Sequence, residues 1–462
     1  MSIRWSRQYT FDGWYFRKYI DPNHELVQLA NKIDWRSIFE ALSVYYSPKG
    51  RQALDLQLMV GLHILKHRHD LSDEDAVKIL HENIYWMYFC GVYQPAPVEG
   101  QQSSPILDSS SLTYFRKRIG PQGMEKLEEV IRDQLCKAHL IHPRTAITDT
   151  TAMEKNIAYP TDTDLLYKVR ERVVRVVEKI RQMGVKIPGS FRTFRHRARK
   201  VLLFAKKFGK DKMERIEKAN SELAQMAQKV ASKVTRICAT INHQSDLSKI
   251  IKGKANRLGQ QLADLQHLTH RVIHQNEMRF LGHHVPDKVF SLHEPSVVAI
   301  KKGKQAKPTE YGSKVSLTVD RHGFIIAHHQ YFSNISDVNT LPDALEGWQK
   351  TFGRPPGELG ADRGFHHPKT SQEDLGTQGI ARLAIPYKGK RKHPESNTYW
   401  FKRLQRLRAI IEAIISHLKN DHRMGRCLYK GPEGDHINVS LATMAWNCKK
   451  WIEVEGVLQA AG

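Results

Sequence analysis

The chain has 462 residues, with 72 Lys+Arg against 48 Asp+Glu and a formal charge of +24. That balance calls for a polyanionic partner, because each Lys or Arg meeting a phosphate releases condensed counterions, but it does not say whether the partner is cut, joined or only bound. Nothing approaches the roughly 18 uncharged apolar residues of a membrane span, Met1 to Tyr9 has no apolar signal core, and the five scattered cysteines form no C-x-x-C pair. A membrane span, secretion, a disulfide framework and a cysteine–zinc site are therefore not expected, and a cytoplasmic protein is. In that compartment the N-x-S sequences at Asn334 and Asn438 are chance matches.

Residues 1–140 are predicted to form a helical domain. Leu54 to Lys66 is apolar and helical, and His69-Asp70 breaks it. Ser72 with Asp75 three residues on is a capping-box arrangement, which supplies acceptors to the orphan N–H groups of a helix start. Ala76, Val77, Leu80 and Ile84 follow at helical spacing, and Gln94 to Pro105 reads as a loop. A further helix starts at Asp108 or Ser109, with Leu112, Phe115 and Ile119 on one face. Arg116, Lys117 and Arg118 are then left for solvent or phosphate. This is the pattern of a helix-turn-helix reading helix, and equally that of an amphipathic helix with a solvated basic face.

Arg144 to Thr150 is short and β-like and carries Asp149. Residues 141–164 are taken as the first part of an α/β core, and residues 165–305 as a basic helical insertion. Between 165 and 307 there are 32 Lys+Arg and 11 Asp+Glu, so most of the net charge sits there. Ile216, Leu223, Val230 and Ile237 form one heptad run; Ile251, Leu258, Leu265 and Val272 form another, with a polar turn between. Seven-residue spacing keeps each set on one stripe, which predicts an antiparallel helical hairpin. His267, His270 and His274 share a face of its second arm and read as solvated or phosphate-facing side chains rather than as metal ligands.

Residues 306–462 return to strand periodicity and complete the core. Lys314 to Val319 alternates, Gly323 turns, and Phe324 to Phe332 continues as a hairpin partner. Leu341 to Phe352 is helical, Gly357 to Ala361 is a short strand ending at Asp362, and Leu383 to Pro386 is another strand. Ser396 to Lys419 is a strong amphipathic helix, and Ser440 to Glu453 a last one. Strands mixed with helices indicate a mixed α/β fold.

Three acids stand out. Asp149 and Asp362 each follow a strand-like run, where carboxylates from neighbouring strands can share a hard divalent cation. Each also reads as a turn former. On the long helix, Arg408, Glu412 and Lys419 are four and seven residues apart and share one stripe. Taken alone, that stripe is a surface charge ladder, with Arg408–Glu412 an i,i+4 pair. Among rival acids, Asp162 and Asp164 read as turn or cap residues and Asp320 as the opening of a hairpin turn; Glu154 is a further rival.

In combination these residues resemble a known family. Arg408-x-x-x-Glu412-x6-Lys419 is similar to the Y-x-x-R-x-x-x-E-x6-K signature of bacterial insertion-sequence DDE transposases, with Gln405 standing where the signature has Tyr. Asp149-Thr-Thr resembles their first-Asp region, with Tyr159-Pro-Thr-Asp downstream, and Asp362-Arg-Gly-Phe resembles their second-Asp motif. The segments Leu71 to Gly91 and Asp108 to Arg118 are similar to their N-terminal domain. The insertion follows the first acid, since Asp362 and Glu412 are too close in sequence to enclose one.

The resemblance implies a ribonuclease-H-like catalytic core, a mixed β-sheet flanked by helices, with an N-terminal helical DNA-binding domain and a long helical-hairpin insertion. It implies two Mg²⁺ or Mn²⁺ ions held by Asp149, Asp362 and Glu412 as catalytic residues, for in-line displacement at phosphorus. Arg408, Lys419, Arg116 and Lys117 would bind phosphates of double-stranded DNA, both element ends and target, with a homodimer holding the two ends. A metal-dependent nuclease without strand transfer, and a non-catalytic basic DNA- or RNA-binding protein, remain as alternatives.

Overall fold

The computed structural model describes residues 18–461 except 48, 51, 93–105, 210, 244–247, 302–308, 368–374 and 377–378. The loop expected over Gln94 to Pro105 lies outside the described residues. In chain order the helices are α1 (Glu25–Lys32), α2 (Trp35–Ser43), α3 (Leu56–Arg68), α4 (Asp73–Glu82), α5 (Ile84–Phe89), α6 (Ser110–Lys137), α7 (Asp162–Gln182), α8 (Arg195–Ala205), α9 (Lys212–Ala231), α10 (Val234–His243), α11 (Lys249–Phe280), α12 (Leu341–Phe352), α13 (Tyr399–Asn420) and α14 (Gly431–Ala461). The strands are β1 (Thr145–Lys155), β2 (Val298–Lys301), β3 (Thr309–Asp320), β4 (Ile325–Tyr331), β5 (Glu358–Gly360), β6 (Arg382–Ala384) and β7 (Arg426–Cys427). Two compact units result: Met1–Asn156 with Gly312–Gly462, and Ile157–Tyr311.

Helix starts follow local chemistry. Ser72 Oγ accepts from the Asp75 N–H at 3.0 Å, Asp55 caps α3, and Thr398 caps α13, each silencing an otherwise orphan donor. In α6 the run is broken at Gly120, whose φ of 61° lies in the left-handed region, and Pro121 follows. Only glycine adopts that backbone without strain.

In the first unit the sheet is mixed. β3 lies antiparallel to β1 through Ala146↔Asp320 to Glu154↔Gly312. β4 is antiparallel to β3, β5 is parallel to β1 through Thr145↔Glu358 to Ile147↔Gly360, and β6 is parallel to β5. β7 meets only the far end of β1, at Glu154 and Lys155. Strand β1 does not stop at Thr150, as its sequence suggested: β3 pairs along it to Glu154, so Asp149 stands mid-strand.

One sheet face, with Ile147, Val315, Leu317, Val319 and Ile325, packs against Phe401, Leu404, Ile411, Ile414 and Leu418 of α13. The apolar residues expected at helical spacing on α13 therefore meet a strand face with period-two alternation. Ala146, Phe324 and Ile326 belong to another core cluster, with Trp348 and with buried residues of α1 to α6. Helix α14 joins these parts, placing Leu441, Met444, Cys448 and Trp451 in that cluster and Val439, Ala442 and Trp446 against α13. The N-terminal helices thus share a continuous core with the sheet instead of closing a core of their own. Helix α14 also begins nine residues before the predicted Ser440.

In the second unit the heptad arms run antiparallel. Asn220 donates to Asn276 at 3.0 Å, Gln266 to Ala231 O at 3.1 Å, and Cys238 to Gly259 O at 3.4 Å. The first arm is divided, with α9 ending at Ala231 and α10 starting at Val234. Helix α7 is a third long member that the two-run reading omitted. Its Leu166, Val169, Val173, Val177 and Ile180 are buried among Leu223, Val230, Ile237, Leu265 and Val272. Asp162, at the start of α7, is buried in ion pairs with Arg279 and Lys288. It serves this unit's core, which explains its position as a rival acid. His267, His270 and His274 are all exposed.

Candidate functional site

Backbone register brings the first two acids together. Ile147 on β1 pairs with Gly360 on the parallel β5, so Asp149 and Asp362 each lie two residues beyond the same rung. Asp149 shares the face of Ile147, and across the antiparallel ladder that of Leu317, both packed toward α13. Gly360 makes this close approach possible, because a Cβ there would stand 2.8 Å from Ile147 Cδ1. Beyond this rung β5 has ended and β7 has not begun, so among the described residues the edge of β1 at Asp149 has no strand neighbour on that side.

Each carboxylate is oriented by a backbone donor. The Thr150 N–H donates to Asp149 Oδ1 at 2.7 Å, and the Gly364 N–H to Asp362 Oδ1 at 2.6 Å, which also starts the short 3-10 turn Arg363–Phe365. Burial pushes the Asp149 carboxyl up to about 6. The negative charges of Asp362 and Asp337 push the same way, while the Thr150 bond and Arg408 work against it.

Helix α13 supplies the remaining groups. Gln405 Nε2 donates to Ala361 O at 3.2 Å and to Ala384 O at 2.6 Å. It bolts the helix to the ends of β5 and β6, immediately before Asp362. The Gln at the signature's Tyr position therefore has a structural task here. Arg408, one turn further, exerts its charge on Asp149 and binds Glu412 through Nη2–Oε1 at 2.8 Å. Glu412 is 54% exposed, on the stripe that carries Arg408 and Lys419, and Lys419 is half-buried. Asp149, Asp362 and Arg408 are thus brought together. Glu412 is linked to them through its ion pair with Arg408, and among the described residues no three acidic, His or Cys side chains are gathered closely enough to hold a metal as they stand.

Of the two α6 residues that the resemblance assigns to phosphate binding, Lys117 is exposed and Arg116 is not. Arg116 is 7% exposed, donates to Asp73 Oδ1 at 3.0 Å and Oδ2 at 2.6 Å, and lies 4.4 Å from the ring centre of Tyr429. Lys66 also pairs with Asp73. The expectation of a phosphate contact at Arg116 is corrected: four residues on from Leu112 it falls within the apolar stripe, so it turns inward and is neutralised there. Of the rival acids, Asp320 holds its hairpin through the His322 and Phe324 N–H groups, both at 2.9 Å, and Glu154 pairs with Arg426.

Sequence reasoning did not single out Asp337, an acid within electrostatic reach of Asp149, nor its ion-pair partner Lys314. A signal existed. Lys314 stands in the apolar, alternating part of its strand, where Gly312 to Asp320 are buried, and such a charge needs a partner.

Comparison with known proteins adds the family. Residues 14–118 match the model of a transposase domain (DUF772), and residues 287–448 match that of a transposase DDE domain. A relative from Rhizobium meliloti, described as an uncharacterized protein ORF8 in the nfe locus, is 40% identical over 182 residues, covering 39% of this chain and 84% of that protein. The chain belongs to the insertion-sequence DDE transposases. The DDE match takes in Asp362 and Glu412 and begins downstream of Asp149, so the first acid rests on the sheet register. Enzymes of this family use divalent metals. No solved structure matches this transposase. No described helix is long and apolar enough to cross a membrane.

Proposed function

We propose that this transposase binds the double-stranded ends of its element and catalyses divalent-metal-dependent strand cleavage and strand transfer at Asp149, Asp362 and Glu412. The observation that carries the reading is the shared rung: two carboxylates from parallel neighbours, two residues past Ile147↔Gly360, under a helix bearing a third. The sheet order β4-β3-β1-β5-β6, with the last two parallel to β1, supports a ribonuclease-H-like core.

The donors suit a hard cation. They are carboxylate oxygens, and the burial that raises Asp149, together with the smaller push from neighbouring negative charge, is a penalty a bound cation relieves. Two Mg²⁺ or Mn²⁺ ions bound there would lower the pKa of an attacking water or 3′-hydroxyl and stabilise the leaving oxygen. In this reading Glu412 exchanges its Arg408 partner for the acidic site. Arg408, so released, and Lys419 bind DNA phosphates and keep the end in register, a positioning role. Lys117 contributes a phosphate contact from α6, and one copy of the chain holds each element end.

The test uses labelled duplexes carrying the element's terminal repeats. Asp149→Asn, Asp362→Asn and Glu412→Gln should each abolish Mg²⁺-dependent cleavage while end binding stays within a few-fold of wild type. Cleavage surviving Asp149→Asn overturns the site. Pre-cut ends should be joined to target DNA by the wild type; cleavage without joining would mark a nuclease. The Arg408–Glu412 pair also fits a protein that only binds DNA, and that reading predicts no cleavage under any divalent ion.

A further inference from the structure

Asp337 opens a short 3-10 turn, Asp337–Thr340, leading into α12. Its Oδ1 accepts the Thr150 hydroxyl at 2.7 Å and forms an ion pair with Lys314 Nζ. Thr150 is the residue whose backbone N–H orients Asp149. Asp337 Oδ2 faces the other acid: a Cβ added at Gly364 would stand 2.6 Å from Asp337 Oδ2 and 2.7 Å from Asp362 Oδ1. One carboxylate therefore grips the residue after the first acid and borders the loop that orients the second.

The clamp is itself anchored. Lys314 is 7% exposed on β3, and its ammonium also donates to Ile335 O at 2.8 Å, just before the turn. Buried charge of this kind is tolerated when it is paired and hydrogen-bonded, and once paired it fixes geometry. The absence of a side chain at Gly364 has the same sense, since any Cβ would drive the two carboxylates apart.

We propose that Asp337 is a positioning residue of the metal site, bracing Thr150, and through it Asp149, against the Asp362 loop while adding negative charge beside the cation. The proposal rests on the reading of Asp149 and Asp362 as the cation site. Asp337 acts through Thr150 and the loop backbone. Groups that orient a metal's ligands typically alter affinity about 10–100-fold when removed.

The experiment measures Mn²⁺ binding to the full-length protein without DNA, by electron paramagnetic resonance titration, alongside a thermal melt. Asp337→Asn keeps the shape and an acceptor for Thr150 but loses the charge and the Lys314 pair. It should weaken Mn²⁺ binding by about 10-fold or more. Gly364→Ala should weaken it comparably with every carboxylate intact, and Asp149→Asn should nearly eliminate it. If Asp149→Asn loses Mn²⁺ while Asp337→Asn and Gly364→Ala bind like wild type, the role of Asp337 is wrong and the site stands. A lowered melt with unchanged Mn²⁺ affinity gives Asp337 a merely structural part and overturns the proposal. If Asp149→Asn binds like wild type, the site fails, and the role of Asp337 with it.

Discussion

Replacing Arg116 by Ala separates a structural arginine from a DNA-binding one. The guanidinium makes two bonds to Asp73, one to Thr113 at 3.0 Å and one to His63 at 3.1 Å, and stacks over Tyr429. Breaking a buried pair costs about 3–5 kcal/mol, because a charge is left without its partner. Asp73 retains Lys66, so the lower end, about 3 kcal/mol, is expected. At about 2.1 cal/mol/K of unfolding entropy per residue, a unit of about 300 residues shifts by roughly 1.5 °C per kcal/mol, so the melting temperature should fall by about 4–5 °C. Lys117, the exposed neighbour, makes the control. Its Ala variant should melt within about 0.5 kcal/mol of wild type while the salt dependence of DNA binding becomes shallower by about one unit of slope. The assay pairs a thermal melt with fluorescence anisotropy on a terminal-repeat duplex over a salt series, well below the melting transition. An Arg116→Ala protein that melts like wild type and loses affinity with a shallower salt slope would refute the assignment.

Two further outcomes follow from the same geometry. Gln405→Ala leaves the Ala361 and Ala384 carbonyls without their side-chain donor, a loss of about 1–3 kcal/mol, and should lower the cleavage rate more than DNA affinity, since it loosens α13 beside Asp362; equal losses in both would contradict this. Acid should destabilise the first unit below about pH 6.5, where its buried His63, His67 and His422 outweigh the raised Asp149 and Asp320 carboxyls, which work the other way. Burial, reinforced for His63 by Arg116, holds His63 down to about 3, and burial holds His422 down to about 4. Unfolded histidines titrate near 6.5, so below that pH the unfolded chain takes up protons that the folded one refuses, and stability falls progressively toward pH 4. Urea midpoints at pH 7.5, 6 and 5 should decrease stepwise, and a flat series would contradict it.

Much of this fold is legible in local chemistry. The Ser72 capping box, the α13 stripe and the β3–β4 hairpin held by Asp320 are written in short-range patterns, and the register of β1 with β5 then explains why Asp149 and Asp362 meet. Features set by long-range pairing were harder to read. The length of β1 past Asp149 depends on β3, some 160 residues away, because Thr150 to Lys155 alternates too weakly to announce a strand. Arg116 has two basic neighbours in sequence, and its inward azimuth shows only relative to Leu112, Phe115 and Ile119. Helix α7 carries the same seven-residue spacing at Leu166, Val173 and Ile180, but its Val-rich face discloses a bundle only once α9 and α11 are in place. Asp337 lay hidden between two elements, and the buried Lys314 was its one trace in the sequence.

The central claim is that Asp149, Asp362 and Glu412 share one divalent-metal site. Loading the transposase–DNA complex with Fe²⁺ and adding ascorbate and peroxide generates hydroxyl radicals at the bound ion, and mass spectrometry locates the resulting backbone cuts. Cuts next to 149, 362 and 412, suppressed by excess Mg²⁺, are the predicted result. Cuts at 149 and 362 with none near 412, or cuts confined to the exposed histidines of α11, would contradict it.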